Sequence, residues 1–143
     1  MTGQTGQSSQ PTVLIADDEH HIRCVLGEKL RKAGIHVIEA SDGEEALTLT
    51  LRHVPSLIIS DLQMPRKSGL DFCAAVKVNA TTSHIPAILL TSRGYLAPLS
   101  ELTDTSIIEV IAKPFSAKEV LVRVQEILAK STPQQKSQQR SAA

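Results

Sequence analysis

Short apolar runs alternating with longer amphipathic segments constrain this chain more than any other feature. The runs occupy residues 13–16, 35–39, 57–60, 85–90 and 107–112 and are rich in Val, Ile and Leu. Most place apolar residues in succession rather than in alternation, as strands covered on both faces do. Between them, residues 20–33 put Ile22, Leu26, Leu30 and Ala33 on one helical stripe, with Gly34 as a stop. Ser41 or Asp42 can cap a segment through Ala46, Leu47 and Leu51. Residues 69–79 form a third helix, and Ser116 caps a last one through Val120, Val124, Ile127 and Leu128. Gly94 and Pro98 interrupt the remaining crossover, leaving only 99–103 for a short or irregular fourth helix. Five strands alternating with five helices predict an α/β fold: one parallel sheet, right-handed crossovers and helices on both faces.

The pattern starts at residue 12 and ends near 130, which predicts one domain over 12–130. Residues 1–11, all polar or small apart from Met1, read as a disordered arm, and 131–143 as a disordered tail or interdomain linker. Aromatic residues are 2% of the 143, so Leu, Ile, Val and Ala must build the core. Fifteen basic and fifteen acidic residues balance, leaving no basic field to draw nucleic acid or a membrane surface. No apolar run is long enough to span a bilayer. Cys24 and Cys73 are too few and too far apart for a disulfide framework, which favours a reducing, cytoplasmic setting with both as small buried apolar residues.

Ligands of doubly wound sheets bind beyond the carboxyl ends of the strands. Those ends carry Asp17-Asp18-Glu19 after the first strand, Asp61 at the third, Thr91-Ser92 at the fourth and Lys113-Pro114 at the fifth. Crowded carboxylates repel one another unless a cation neutralises them, and hard oxygen ligands suit Mg²⁺. A carboxylate such as Asp61 can act as a nucleophile toward phosphorus. Lys113 and the Thr91 hydroxyl can meet phosphoryl oxygens.

Four motifs carry a family resemblance: VLIADDE (13–19), ISDLQMPRKSGLD (59–71), LLTS (89–92) and AKPF (112–115). In this order and at these strand ends, the chain resembles the receiver domain of bacterial two-component response regulators, the CheY-like superfamily. The resemblance implies a (βα)5 flavodoxin-like fold with strand order 2-1-3-4-5. It implies a phosphorylation-dependent switch in which a sensor histidine kinase or phosphotransfer protein passes a phosphoryl group to Asp61. Asp18, Asp61 and the backbone carbonyl of Gln63 would bind Mg²⁺, Asp17 would help through water, and Thr91 and Lys113 would hold the phosphoryl group. Pro114 would follow a cis peptide. Such a domain is not an enzyme beyond its own phosphorylation and dephosphorylation, and it acts on a downstream protein or on an output domain beyond residue 143.

Two departures stand out. Val110 occupies the position where receivers usually carry Tyr or Phe, and Thr105-Ser106-Ile107 replaces a Gly-containing turn. The only tyrosine, Tyr95, is a weak substitute. A relay built on Thr91 would then work through the 92–98 loop. Alternative readings are a docking module that is never phosphorylated and an aspartate-nucleophile phosphatase of the haloacid-dehalogenase type. The latter needs a second Asp at position 63, where this chain has Gln. Taken singly, the acidic pair is an ordinary helix-start feature, and His20-His21 reads as a solvated first turn more readily than as a metal site.

Overall fold

The computed structural model describes residues 10–92 and 102–131. Five strands, β1 Thr12–Ala16, β2 His36–Ala40, β3 Leu57–Asp61, β4 Ala87–Thr91 and β5 Ile107–Ala112, form one parallel sheet in the order β2-β1-β3-β4-β5. Four helices lie among the described residues: α1 His20–Lys32, α2 Gly43–His53, α3 Gly69–Val78 and α4 Ala117–Ser131. The expected helix over 99–103, with Gly94, Tyr95 and the rest of the 92–98 relay loop beyond Ser92, lies almost wholly outside the described residues. None of the described helices is long and apolar enough to cross a membrane.

Residues of β1 after Thr12, and all those of β3 and β4, are buried, and successive side chains divide between two cores. On one face Val13, Ile15, Leu57, Ile59, Ile88 and Leu90 pack against Leu26 and Leu30 of α1 and Val120, Val124, Ile127 and Leu128 of α4. On the other, Leu14, Ala16, Ile58, Ala87 and Leu89 meet Ala46 of α2 and Phe72, Cys73 and Val76 of α3. The edge strands are less covered: β2 buries only Val37 and Ala40, and β5 buries only Ile107.

Several local expectations shift. β2 begins at His36 and β4 at Ala87, each later than the apolar run suggests. Ile85 donates its N–H back to Thr82, and Pro86 has none to give, so β4 is joined to β3 before Ala87 only through the Pro86 carbonyl, which accepts the Ile58 N–H. Ala33 is exposed, because the chain has already left α1 and Gly34 turns it at φ 87°. Leu47 packs against the core as expected, but Leu51 is exposed and Leu49 faces the core in its place. Cys73 is buried as expected, whereas Cys24 is exposed on α1 beside His20. Asp42 caps α2 by accepting from the Glu45 N–H, and Ser116 caps α4 by accepting from the N–H groups of Lys118 and Glu119. The turn before β5 is closed without glycine: the Thr105 hydroxyl donates to the Leu102 carbonyl and accepts the Ile107 N–H.

Candidate functional site

All five strands run the same way, so their carboxyl ends share one rim. Asp17 follows β1 directly and is fully buried. Its N–H still donates to the Ala40 carbonyl at 3.1 Å, the last tie to β2, and its Oδ1 accepts the Glu19 N–H at 2.9 Å. Asp18, one residue on, turns to solvent. Asp61 ends β3 at 7% exposure. The chain beyond it is held by the Leu62 N–H on the Leu90 carbonyl and the Gly69 N–H on the Leu62 carbonyl, both at 2.8 Å. Gly69 comes so near that a Cβ there would overlap the Asp61 carbonyl oxygen.

Lys113 follows β5 and donates its backbone N–H to the Thr91 carbonyl at 2.7 Å. Its ammonium lies 2.9 Å from Asp61 Oδ1, 3.5 Å from Asp17 Oδ2 and 3.8 Å from Glu19 Oε1. The next peptide, Lys113–Pro114, is cis. One oxygen each from Asp17, Asp18 and Asp61 lies within 4.8 Å of the other two. Among the described residues this is the group of three or more potential metal ligands, and His20 and His21 stand outside it. A cavity of about 370 Å³ opens over it, lined by Asp18, Glu19, Asp61, Gln63, Ser92 and Lys113. Thr91 sits behind this lining, 2% exposed, with its hydroxyl donated to the Ser92 carbonyl at 3.3 Å. Val110 lies away from the cavity on β5, 38% exposed.

The electrostatics follow from burial and crowding. Burial pushes the Asp17 carboxyl up from 3.8 to about 6, the Glu19 N–H pulls it down, and the Asp61 charge raises it again. Burial also raises Asp61 despite the opposing hydrogen bond and charge of Lys113. Burial alone would lower the Lys113 ammonium, but its hydrogen bond to Asp61 and the surrounding acids hold it above the ordinary lysine value. One ammonium among Asp17, Asp18, Glu19 and Asp61 leaves excess negative charge in the site. An all-oxygen donor set of that kind fits a hard divalent cation.

Three contacts at this rim escape sequence reading. Glu19 reaches Lys113, the Arg66 side chain pairs with Asp42 at 3.3 Å, and Arg23 of α1 reaches back to the Asp17 carbonyl at 2.7 Å. Arg66 also adopts φ 68°, and nothing in the stretch MPRKSG marks it for the left-handed region.

The family model for the response regulator receiver domain matches residues 13–125. The chain belongs to that family. Histidine kinase P4 of Formosa agariphila is 38% identical over 122 residues, covering 85% of this chain and 9% of the kinase. Transcriptional regulatory protein PdtaR of Mycobacterium tuberculosis is 33% identical over 129 residues, 87% of this chain and 62% of that protein. The chain therefore spans less than two thirds of the curated relatives it matches. Among solved structures, the chemotaxis response regulator CheY4 of Vibrio cholerae superposes with a TM-score of 0.75 at 29% identity, covering 83% of this chain and 99% of that one. The receiver domain of the Francisella response regulator 1452 gives 0.77 at 27%, covering 86% and 100%. Receiver domains are signalling modules of two-component systems whose general function is a phosphorylation-dependent switch, and they generally bind Mg²⁺ at an acidic pocket.

Proposed function

We propose that this receiver domain accepts a phosphoryl group on Asp61 from the phosphohistidine of a cytoplasmic sensor histidine kinase or phosphotransfer protein. One observation carries the reading: Asp61 ends a buried strand 2.9 Å from the Lys113 ammonium, with oxygens of Asp17 and Asp18 within 4.8 Å. In the transfer, an Asp61 carboxylate oxygen bonds to phosphorus as the phosphorus–nitrogen bond breaks, and the imidazole nitrogen keeps the electron pair. Lys113 then meets phosphoryl oxygens in place of the bare carboxylate, and the Thr91 hydroxyl exchanges its long bond to Ser92 for another of them.

Asp18 and Asp61, with the Gln63 carbonyl, would hold Mg²⁺ directly, and Asp17 would reach it through water. The division is supported by the use already made of Asp17, whose two oxygens face the Glu19 N–H and Lys113. When bound, the cation supplies the positive charge that lets phosphoryl oxygens enter a site of carboxylates. Beside the pocket, a second cavity of about 530 Å³ between α1 and the segment after β5 is lined by Ile22, Val25, Pro114, Phe115 and Ala117. Its apolar walls next to Lys113 support docking of the phosphoryl donor there.

Phosphorylation then alters binding to a downstream protein or to an output domain joined through residues 131–143. Val110 has no ring to move between exposed and buried positions. Val110→Tyr should leave the phosphorylation rate nearly unchanged while changing partner affinity, and phosphorylation should shift the amide resonances of 108–112 only slightly.

Incubation with acetyl phosphate and Mg²⁺, followed by intact-mass measurement, tests the acceptor. The parent should gain the mass of one phosphoryl group and Asp61→Asn none. Labelling of the Asn variant to the parent's extent would mean that another residue is the acceptor.

A further inference from the structure

The Asp17–Asp18 peptide leaves the sheet at the point where its pairing ends. β1 and β2 match residue for residue up to Ala16 and Ala40, and the Asp17 N–H makes one more bond, to the Ala40 carbonyl. The Asp17 carbonyl takes its partner from α1: the Arg23 guanidinium donates Nη1 to it at 2.7 Å. The same guanidinium donates Nε to Glu39 Oε1 at 3.3 Å, and the other Glu39 oxygen takes Arg31 at 3.1 Å. Arg23 and Glu39 side chains are 15% and 28% exposed, so the pair is shielded from water far more than Arg31 at 51%.

Gly27 borders the same cluster. A buried glycine inside α1 costs about 1 kcal/mol relative to alanine. A Cβ there would stand 3.0 Å from a guanidinium nitrogen of Arg31 and 3.5 Å from Glu39 Oε2. The helix gives up a methyl group where Arg31 and Glu39 come together.

We propose that Arg23 is a positioning residue for the cation site: held by Glu39, whose other oxygen takes Arg31, it fixes the Asp17–Asp18 peptide so that both carboxylates present their oxygens to the pocket. The inference rests on the Mg²⁺-dependent reading of that pocket. It carries a sign that separates it from simple electrostatics. A cation near an acidic cluster repels Mg²⁺, so if Arg23 acted by charge alone, its removal would tighten Mg²⁺ binding. If it acts by holding the peptide, removal weakens binding, by roughly tenfold for residues that orient metal ligands.

The experiment is an isothermal titration of the full 143-residue chain with Mg²⁺, with urea unfolding of each variant in parallel. Arg23→Met, which removes charge and donor but keeps the aliphatic stem, should weaken Mg²⁺ by roughly tenfold. Arg23→Lys, which keeps one donor for the carbonyl, should recover most of that loss, and Glu39→Gln should fall between. Parent-like or tighter binding by Arg23→Met, or a lysine variant no better than methionine, would overturn the proposal. If Arg23→Met does not fold, Glu39→Gln decides: affinity equal to the parent's would overturn it. Asp18→Ala keeps the two readings apart. If Asp18→Ala and the parent bind Mg²⁺ equally, the site assignment fails. If only Asp18→Ala loses binding while the Arg23 variants keep it, the site stands and the positioning role fails.

Discussion

Between β1 and α1 the chain fixes its turn with charge and polar hydrogen bonds, whereas between β3 and α3 it fixes the backbone of Asp61 with close contact and leaves the carboxylate to Lys113. In the first loop Asp17 is gripped by the Glu19 N–H, Lys113 and the guanidinium of Arg23. In the second, Gly69 lies against the Asp61 carbonyl, and Gly43 at the start of α2 lies against the Lys67 carbonyl. The difference matches what each loop must do. The first carries a fully buried acid whose charge needs compensation, and the second must fix the backbone of the residue that ends β3. Polar restraint responds to pH and salt, and steric restraint does not.

The largest effect should come from filling the second loop. A Cβ at Gly69 would overlap backbone atoms that cannot swing away, so Gly69→Ala should lose about 3 kcal/mol in urea unfolding. The loss should be the same in dilute buffer and in roughly 1 M salt. A strong salt dependence would break the distinction between the loops.

Next comes the buried acid of the first loop. With its folded-state carboxyl raised from 3.8 to about 6, Asp17 holds its proton more tightly in the folded state than in the unfolded one. Its contribution is then fully present below about pH 4 and is lost as pH rises through about 6. Asp17→Asn keeps an acceptor for the Glu19 N–H and carries no charge. In metal-free buffer it should gain on the order of 2 kcal/mol relative to the parent between pH 4 and pH 7. Chemical unfolding of both proteins across that range checks it, and a constant difference would sink the idea.

Gly43→Ala should lose about 1–2 kcal/mol, less than Gly69→Ala, because the Lys67 carbonyl it would overlap belongs to a loop rather than to a strand end. The smallest change is expected at Arg66, where the two kinds of restraint meet. Arg66→Gly relieves a backbone at φ 68° and removes an ion pair to Asp42 whose arginine is 60% exposed. The relief and the loss are each a few tenths of a kcal/mol to about 1 kcal/mol, so the net stability should stay within about 0.5 kcal/mol of the parent. A thermal-melt difference well beyond that would show one restraint dominating.

Local sequence by itself determined the five strands, the apolar faces of α1 and α4, and the cap at Ser116, and narrowed the α2 cap to Ser41 or Asp42, because periodicity and capping depend on residues a few positions apart. It also determined which residues stand at the strand ends. Runs of buried β-branched residues define strands, and a carboxylate after such a run lies at a rim whatever the packing. Tertiary structure alone decided that Lys113 meets Asp17, Glu19 and Asp61, residues drawn from three strands. It decided that Cys24 and Leu51 face out although their helices are amphipathic, since the outcome turns on which part of each helix the sheet covers. It decided, too, that Arg23, a charged residue with the look of a solvated helix face, reaches back to the Asp17 carbonyl. That contact needs α1 laid against β2 so that Glu39 can hold the Arg23 guanidinium. A pattern within one segment reports which face is buried. What that face touches depends on the other segments, and the rim of this sheet is built from such contacts.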